Sequence, residues 1–199
     1  YVASEDNEII DDVTKNGGQA ILTSRNHKTG TDRVYEALIN LKKSNIELVM
    51  NLQGDEPLMN VEDIQNLHNQ MIRTQSEFGT LASNIIDENL YENKNVVKVV
   101  TKKNLVESQF STAISFSRKL TKPIQNAYHH LGIYCYQFET LKKFVSLSQS
   151  QNEIKNKLEQ LRALDNNIPI NVAFAKDTPI GVDTKEDFLA IKKIMEYKS

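Results

Sequence analysis

Strand-like and helix-like segments alternate at both ends of the chain. The short apolar runs Gln19–Thr23 and Glu47–Leu52 are typical of buried strands, and the segment Thr31–Lys43 between them repeats apolar residues at helical spacing. Near the other end, a strand pattern over Ile170–Ala175 precedes a helix capped by Thr184. This alternation predicts an α/β fold with a mainly parallel sheet, in which ligands bind beyond the carboxyl ends of the strands.

The middle of the chain has a different pattern, with many strands and few helices. Four β-rich segments follow one another there, over residues 78–86, 96–101, 113–116 and 130–136. We therefore expect a β-rich, antiparallel insertion in the sheet. Helical patterns return over 141–147 and 154–164, and the last helix is expected to turn Phe188, Ile191, Ile194 and Met195 inward. No linker or repeat divides the chain, so residues 1–199 are predicted to form a single domain.

Charge and cysteine content exclude several classes of protein. Lys and Arg number 24 against 26 Asp and Glu, so no basic surface for bulk nucleic-acid binding is expected. The one cysteine, Cys135, makes no intrachain disulfide or thiolate metal cluster, and its apolar neighbours favour a buried core residue over a reactive thiol. The apolar runs fall far short of the ~20 residues that span a membrane, so we expect no membrane association.

Two aspartates follow predicted strands and are candidate magnesium ligands. Asp55 lies in the stiff turn Gln53–Pro57, and Asp183 follows the strand near the carboxyl terminus. Both could project over one crevice, where Mg²⁺ held by one or two carboxylates would neutralise nucleotide phosphates. The alternatives are an ordinary acidic turn at Asp55 and simple helix capping by Asp183.

Other loops could bind acidic or polar groups. The segment His27–Arg33 opens a helix whose free N–H groups attract anions, although it matches neither a P-loop nor a dinucleotide-binding glycine motif. The planar guanidinium of Arg118 suits a carboxylate, and a plain surface arginine is the alternative. One of the adjacent His129 and His130 could face a ligand, since neighbours on a strand point to opposite faces. Leu158–Arg162 is predicted to be helical, with a solvated face as its simplest interpretation.

Taken together, these segments resemble the 3-deoxy-manno-octulosonate (KDO) cytidylyltransferases, also called CMP-KDO synthetases. Eight stretches carry the resemblance in the family's order and cover the chain from end to end. They are Asn16–Gly18, His27–Arg33, Asn51–Leu58, Asn95–Val100, Phe116–Arg118, His130–Tyr134, Leu158–Arg162 and Gly181–Thr184.

The resemblance implies a Rossmann-like nucleotidyltransferase fold, that of the nucleotide-diphospho-sugar transferases, with a β-rich insertion that forms a homodimer. It implies transfer of CMP from CTP to the 2-hydroxyl of KDO, with release of pyrophosphate and with Mg²⁺ as cofactor. The product serves lipopolysaccharide biosynthesis, which implies a cytoplasmic enzyme. The same chemistry on a related acid sugar, such as an 8-amino KDO or a nonulosonate, stays open, as does a non-catalytic binding or assembly role.

Roles for individual residues come from the same resemblance. Asp55 and Asp183 match the catalytic Mg²⁺ ligands, and Arg118 is the expected partner of the sugar carboxylate. Thr29, Gly30 and Thr31 resemble the turn beside the cytidine. The residues that match the family's KDO-binding set are Gln53, Arg118, His130, Tyr134, Glu159 and Gln160.

One family motif is not in the sequence. The family begins with a strand and a phosphate-binding loop rich in Arg and Lys, whereas this sequence begins with Tyr1–Ala3, which reads as the end of a strand. We therefore expect the domain to be incomplete at its amino terminus, lacking a first strand, the phosphate loop and a helix. Because the triphosphate would lose its cationic loop, we expect little or no turnover from these 199 residues alone.

Overall fold

The computed structural model describes residues 1–179, 181–182 and 184–198, with side chains to residue 196. Eight strands are present in that part of the chain: β1 Val2–Ser4, β2 Ala20–Leu22, β3 Leu48–Asn51, β4 Phe78–Ser83, β5 Lys98–Thr101, β6 Ser111–Ser117, β7 Ala127–Gln137 and β8 Asn171–Phe174. The α-helices are α1 Asn7–Lys15, α2 Gly30–Asn40, α3 Val61–Thr74, α4 Phe138–Ser146, α5 Gln151–Asn156, α6 Leu161–Asp165 and α7 Lys185–Lys198. A short 3₁₀ helix spans Glu88–Tyr91.

The α/β class is confirmed, but the sheet is mixed rather than mainly parallel. Strands β3 and β4 run in the same direction, yet β7 lies between them and pairs with both in the antiparallel sense. Only β1–β2 and β4–β8 pair in parallel among the described strands. The prediction missed this because an 11-residue strand from the β-rich region enters the core of the sheet instead of lying apart from it.

The β-rich, antiparallel region is confirmed. Strand β5 pairs with both β6 and β7, and β6 also pairs with β8, all in the antiparallel sense. The strands β7, β4, β8, β6 and β5 therefore pair in a closed circuit. In this circuit His129 of β7 lies opposite Ser83 of β4 on one side and Lys98 of β5 on the other.

Strand β7 separates two apolar clusters, because successive side chains point to opposite faces. Tyr134 and Tyr136 belong to the larger cluster, and Ile133 and Cys135 to the smaller one. The larger cluster also contains Phe78, Val99, Phe116, Leu141, Phe144 and Val172. Burial raises the pKa of the Cys135 thiol to about 12, so Cys135 is an inert core residue, as the sequence predicted.

The helix predicted over residues 154–164 is broken in two. Lys157 has a φ of 52°, a left-handed conformation that ends α5, and α6 does not begin until Leu161. Consequently Leu158–Gln160 form a connection rather than a helical face, and Gln160 and Arg162 are buried rather than solvated. Apolar spacing could not show this, because it carries no information about the left-handed backbone at Lys157.

The last helix also differs from its prediction. A capping box forms as expected, since the Thr184 N–H donates to the Asp187 carboxylate at 2.9 Å and the Asp187 N–H donates to Thr184 Oγ1 at 3.2 Å. Of the four residues expected to face inward, only Ile191 is fully buried, whereas Phe188 and Met195 are more than half exposed. No helix in the described ranges is both long and apolar enough to cross a membrane.

Candidate active site

An open pocket of about 350 Å³ lies where several connections meet the middle of β7. The turn after β3, the segment before β5, the end of β6 and the connection between α5 and α6 form its walls. The loop after β8 closes one side. The lining residues are Gln53, Asp55, Glu56, Asn95, Val96, Val97, Arg118, His129, His130, Gly132, Tyr134, Lys157, Leu158, Glu159, Gln160, Pro179 and Gly181.

The pocket gathers the predicted sugar-binding residues and one of the predicted metal ligands. Residues that are more than a hundred positions apart in the sequence become neighbours here, because β7 runs beside both β3 and β4. The predicted residues in the lining are Gln53, Asp55, Arg118, His130, Tyr134, Glu159 and Gln160. Asp183 lies outside the described residues.

The predicted nucleotide turn lies next to this pocket without lining it. Thr29 caps α2, and its hydroxyl oxygen accepts the Asp32 N–H at 3.3 Å. A Cβ placed on Gly30 would lie 3.8 Å from the Gln53 side-chain nitrogen, so the turn approaches the pocket wall closely. Thr31 is fully buried, with its hydroxyl 3.4 Å from that of Tyr136.

The loops that follow β3 and β8 contact one another at the edge of the pocket. The Val182 N–H donates to the Asp55 carbonyl at 2.8 Å, and a Cβ on Gly181 would lie 3.7 Å from the same oxygen. The described residues include no cluster of three His, Cys, Asp or Glu side chains suited to a metal. The exposed Asp55 carboxylate is nevertheless a hard oxygen donor of the kind that Mg²⁺ takes together with phosphate and water.

Asp63 holds the start of the loop after β8. Its buried carboxylate accepts the N–H groups of Lys176 at 3.0 Å and Asp177 at 3.4 Å. Asn60, which caps α3, also donates to the Asp177 carboxylate at 2.7 Å. The amino-terminal end of α3 therefore fixes the direction in which this loop leaves the sheet.

Arg118 is half-buried and binds three backbone carbonyls. Its Nε donates to Asn156 at 3.0 Å, its Nη1 to Lys94 at 3.1 Å and its Nη2 to Lys157 at 2.9 Å. A guanidinium has five N–H groups, so two remain available. No carboxylate among the described residues pairs with Arg118, which leaves its positive charge at the pocket wall for an anionic ligand.

Both histidines of β7 line the pocket and are neutral at pH 7. Burial lowers the pKa of His130 to about 3 and, together with the charge of Lys98, the pKa of His129 to about 4. The Thr80 hydroxyl donates to the Ile133 carbonyl at 2.7 Å, so it accepts from His130 Nε2 at 3.0 Å. His130 therefore carries its proton on Nε2 and has an unprotonated Nδ1.

Tyr134, on the same strand as the two histidines, and Glu159, between α5 and α6, supply further polar groups to the pocket. Burial and the negative charge of Glu159 raise the pKa of Tyr134 well above its usual range, so its hydroxyl stays protonated. Burial also raises the pKa of Glu159, against the opposing effect of the Thr31 and Thr29 hydroxyls. One carboxylate oxygen of Glu159 is buried without a hydrogen-bond partner in the described part of the chain.

The connection that carries Glu159 and Gln160 is held by a buried ion pair. Arg162 donates to both carboxylate oxygens of Glu153, from Nε at 2.9 Å and from Nη2 at 2.6 Å. Its guanidinium also lies 4.6 Å from the centre of the Phe144 ring. Sequence reasoning missed this pair, as it missed Asn95–Val97 in the pocket wall. Arg162 and Asn95–Val97 belong to motifs that carried the resemblance, whereas Glu153 lies outside them.

Comparisons with known proteins show the family of the chain. The sequence model of the family described as Cytidylyltransferase matches residues 1–174. The chain belongs to this family. A 3-deoxy-manno-octulosonate cytidylyltransferase of Thermodesulfovibrio yellowstonii is 42% identical over 211 residues, covering all of this chain and 82% of the relative. The protein of the same name from Bartonella henselae is 38% identical over 197 residues, covering 98% of this chain and 80% of the relative.

Comparison with solved structures also finds proteins of similar fold. The structure of a CMP:2-keto-3-deoxy-manno-octonic acid synthetase complexed with CTP matches with a TM-score of 0.84 and 28% identity. That match covers 98% of this chain and 79% of the other. A 4-diphosphocytidyl-2C-methyl-D-erythritolsynthase from Anaerococcus prevotii has a TM-score of 0.58 at 14% identity, which is a likeness of fold alone.

Proposed function

We propose that this protein is a CTP-dependent KDO cytidylyltransferase. The reaction joins the 2-hydroxyl oxygen of KDO to the α-phosphorus of CTP, breaks the bond from that phosphorus to the β-phosphate, and releases pyrophosphate and a proton. The CMP-sugar would serve lipopolysaccharide biosynthesis. The observation that carries the proposal is the pocket itself, which combines an unpaired arginine, neutral hydrogen-bonding groups and a carboxylate turn in a member of this family.

The acidic end of KDO fits the wall that carries Arg118. Two N–H groups of its guanidinium remain free, and a carboxylate accepts such a pair in a bidentate manner. Three bonds to carbonyl oxygens hold the side chain in place before a ligand arrives. Little conformational entropy is therefore lost when the carboxylate binds.

The sugar hydroxyls fit the wall formed by β7 and by the connection between α5 and α6. The neutral Tyr134 hydroxyl can donate or accept a hydrogen bond. The unprotonated Nδ1 of His130 and the unpartnered oxygen of the ionised Glu159 can only accept one. Gln160 supplies both an amide donor and an acceptor. A polyhydroxylated acid satisfies such a mixed set better than an apolar ligand does.

The nucleotide would lie between the Thr29–Thr31 turn and the Asp55 turn, with Asp55 and Asp183 as the residues that hold Mg²⁺. When bound, the ion would supply neutralisation of the phosphate charge and orientation of the attacking hydroxyl. Asp55 and the backbone before Asp183 are already tied by the bond from Val182 to the Asp55 carbonyl. Cys135 is not available as a covalent nucleophile, because it is buried and its thiol stays protonated.

We also propose a cytoplasmic homodimer. A CTP-dependent reaction takes place where the nucleotide is made, which favours the cytoplasm. Exposed isoleucines in the β-rich half support a subunit interface there, with Ile86 81% exposed and Ile114 on β6 59% exposed. Sedimentation would show the dimer, and an Ile114→Lys variant that sediments like the unaltered protein would remove this support.

Pyrophosphate release tests the substrate. The protein expressed from its complete gene is incubated with CTP and Mg²⁺, and KDO, an 8-amino KDO and a nonulosonate are offered separately. We expect release that requires KDO, and an Arg118→Met variant should need a much higher KDO concentration. Lys119→Met is the matched control, since it removes the neighbouring exposed charge. Faster pyrophosphate release with another acid sugar than with KDO would make that sugar the substrate. No release with any of the sugars would favour a non-catalytic binding role.

A further inference from the structure

Lys98 is a completely buried lysine whose ammonium bonds only to backbone. Its Nζ donates to the carbonyls of Asn93 at 2.6 Å, Val96 at 2.7 Å and Arg118 at 2.8 Å. An ammonium has three protons, so every one of them is used. No carboxylate in the described ranges forms an ion pair with Lys98.

Such a group costs stability rather than adding it. Burying a charge without a counter-charge is unfavourable, and an apolar residue of similar volume usually serves a sheet as well. Its neighbour on β5, Val99, is apolar and belongs to the main core cluster. Burial and, as the smaller cause, the charge of Arg118 lower the pKa of Lys98. A lysine at this position is therefore expected to have a role other than stabilising the core.

The three carbonyls connect Lys98 to one wall of the pocket. Two belong to the turn over residues 93–97, three of whose residues line the pocket, and the third belongs to Arg118. The Arg118 guanidinium in turn donates to Lys94 in the same turn. The backbone of Arg118 and the tip of its side chain are thus both tied to one short turn that Lys98 holds.

We propose that Lys98 is a positioning residue for the carboxylate of the acid sugar. It fixes the turn over residues 93–97 and the backbone of Arg118, so that the two free N–H groups of Arg118 face the ligand in one orientation. Its charge adds to that of Arg118 in attracting a ligand carboxylate. This inference rests on the proposed function, because it assumes that an acid sugar occupies the pocket.

A neutral variant of similar length tests this role. Lys98→Met removes the ammonium, and Lys103→Met, which changes an exposed lysine just beyond β5, is the matched control. With the protein from its complete gene, we expect Lys98→Met to raise KM for KDO by about tenfold, the scale of a lost charge-assisted contact, with KM for CTP nearly unchanged. Lys103→Met should leave both KM values unchanged.

A second readout separates positioning from general damage. KDO is compared with its carboxamide as competing ligands, because only the acid can use the charge of Arg118. The unaltered protein should prefer the acid strongly, and Lys98→Met should lose most of that preference. Equal weakening of both ligands, or equal rises in the two KM values, would overturn the inference.

A second substitution tests the role if Lys98→Met prevents folding. If Lys98→Met does not fold, Lys98→Arg keeps the charge and should give an intermediate KM for KDO. Failure of both variants to fold would make Lys98 a residue required for folding and would refute the positioning role. Absence of KDO turnover in the unaltered protein would instead refute the proposed function, so the two failures are distinguishable.

Discussion

The ion pair between Arg162 and Glu153 gives a prediction whose size follows from the structure. Both side chains are buried, with exposed fractions of 1% and 3%. Glu153 also accepts the Ser150 N–H at 3.1 Å as part of the capping box of α5. Arg162→Met would leave this carboxylate buried without its cation, although the apolar part of the arginine side chain would be retained.

Breaking one side of a buried pair typically costs about 3–5 kcal/mol. For a chain of 199 residues each kcal/mol lowers Tm by about 2–4 °C, so Arg162→Met should lower Tm by about 6–20 °C. Replacing both partners with Met should recover only part of this loss, because Asp32, which lies 3.8 Å from the Arg162 guanidinium, and the buried Glu159 also lose this cation. The double variant should stay at least about 1 kcal/mol below the unaltered protein, since α5 also loses its capping carboxylate.

The loss should depend on pH. Burial opposes ionisation of Glu153, but the bonds from Arg162 outweigh it and hold the pKa of this carboxyl below its ordinary value. The ion pair therefore stabilises the fold above the pKa of the unfolded chain, and this contribution is lost as the pH falls through the lower folded value. In Arg162→Met the buried Glu153 carboxyl is expected to have a raised pKa. Its protonation as the pH falls towards 4 therefore removes the buried charge and reduces the loss of stability in this variant.

Urea unfolding at pH 7 and at pH 4.5 measures these differences. The single variants, the double variant and the unaltered protein form a double-mutant cycle that isolates the pair. A loss below 1 kcal/mol for Arg162→Met at pH 7 would refute the reasoning. So would a difference between this variant and the unaltered protein that grows as the pH falls.

Three further predictions concern the packing of α3 on β4, the burial of Cys135 and the loop after β8. Gly79→Ala would place a Cβ 2.6 Å from the Met71 sulfur, so urea unfolding should show a loss of about 1–3 kcal/mol; an unchanged midpoint would contradict the close packing of α3 on β4. Cys135 should resist iodoacetamide at pH 8 until urea unfolds the chain, because the pKa of its thiol is raised to about 12; rapid labelling of the folded protein, read by mass spectrometry, would contradict its burial. Asp63→Ala should cost about 1–3 kcal/mol, since the Lys176 N–H loses its acceptor, and a thermal midpoint equal to that of the unaltered protein would contradict this.

Local patterns in the sequence predicted most of the helices and turns near the pocket. Capping residues and apolar spacing located α1, α2 and α3, and the turn after β3 was expected beside the ligand because strand ends form the crevice. The resemblance then gave a sugar-binding role to Arg118, which was already a candidate partner for a carboxylate, and selected Glu159, which has no distinguishing local signal. Their roles stay predictions, although the fold brings both into one pocket.

Features that depend on distant contacts could not be predicted. The insertion of β7 between β3 and β4 follows from pairing across the whole domain, and a single sequence carries no record of strand order. The left-handed Lys157 and the buried lysine at 98 were missed for a related reason. Lysine is usually exposed and rarely left-handed, so only the surrounding carbonyls and packing reveal these states.

The central claim is transfer of CMP to an acid sugar, and phosphorus NMR tests it most directly. The protein from its complete gene is incubated with CTP, Mg²⁺ and KDO, and the phosphorus resonances are followed with time. The account predicts loss of the three CTP resonances, with pyrophosphate and a sugar-linked phosphodiester appearing in equal amounts, and no change when KDO is omitted or when Asp55 is replaced by Ala. Formation of CDP with orthophosphate, or pyrophosphate release without KDO, would contradict it.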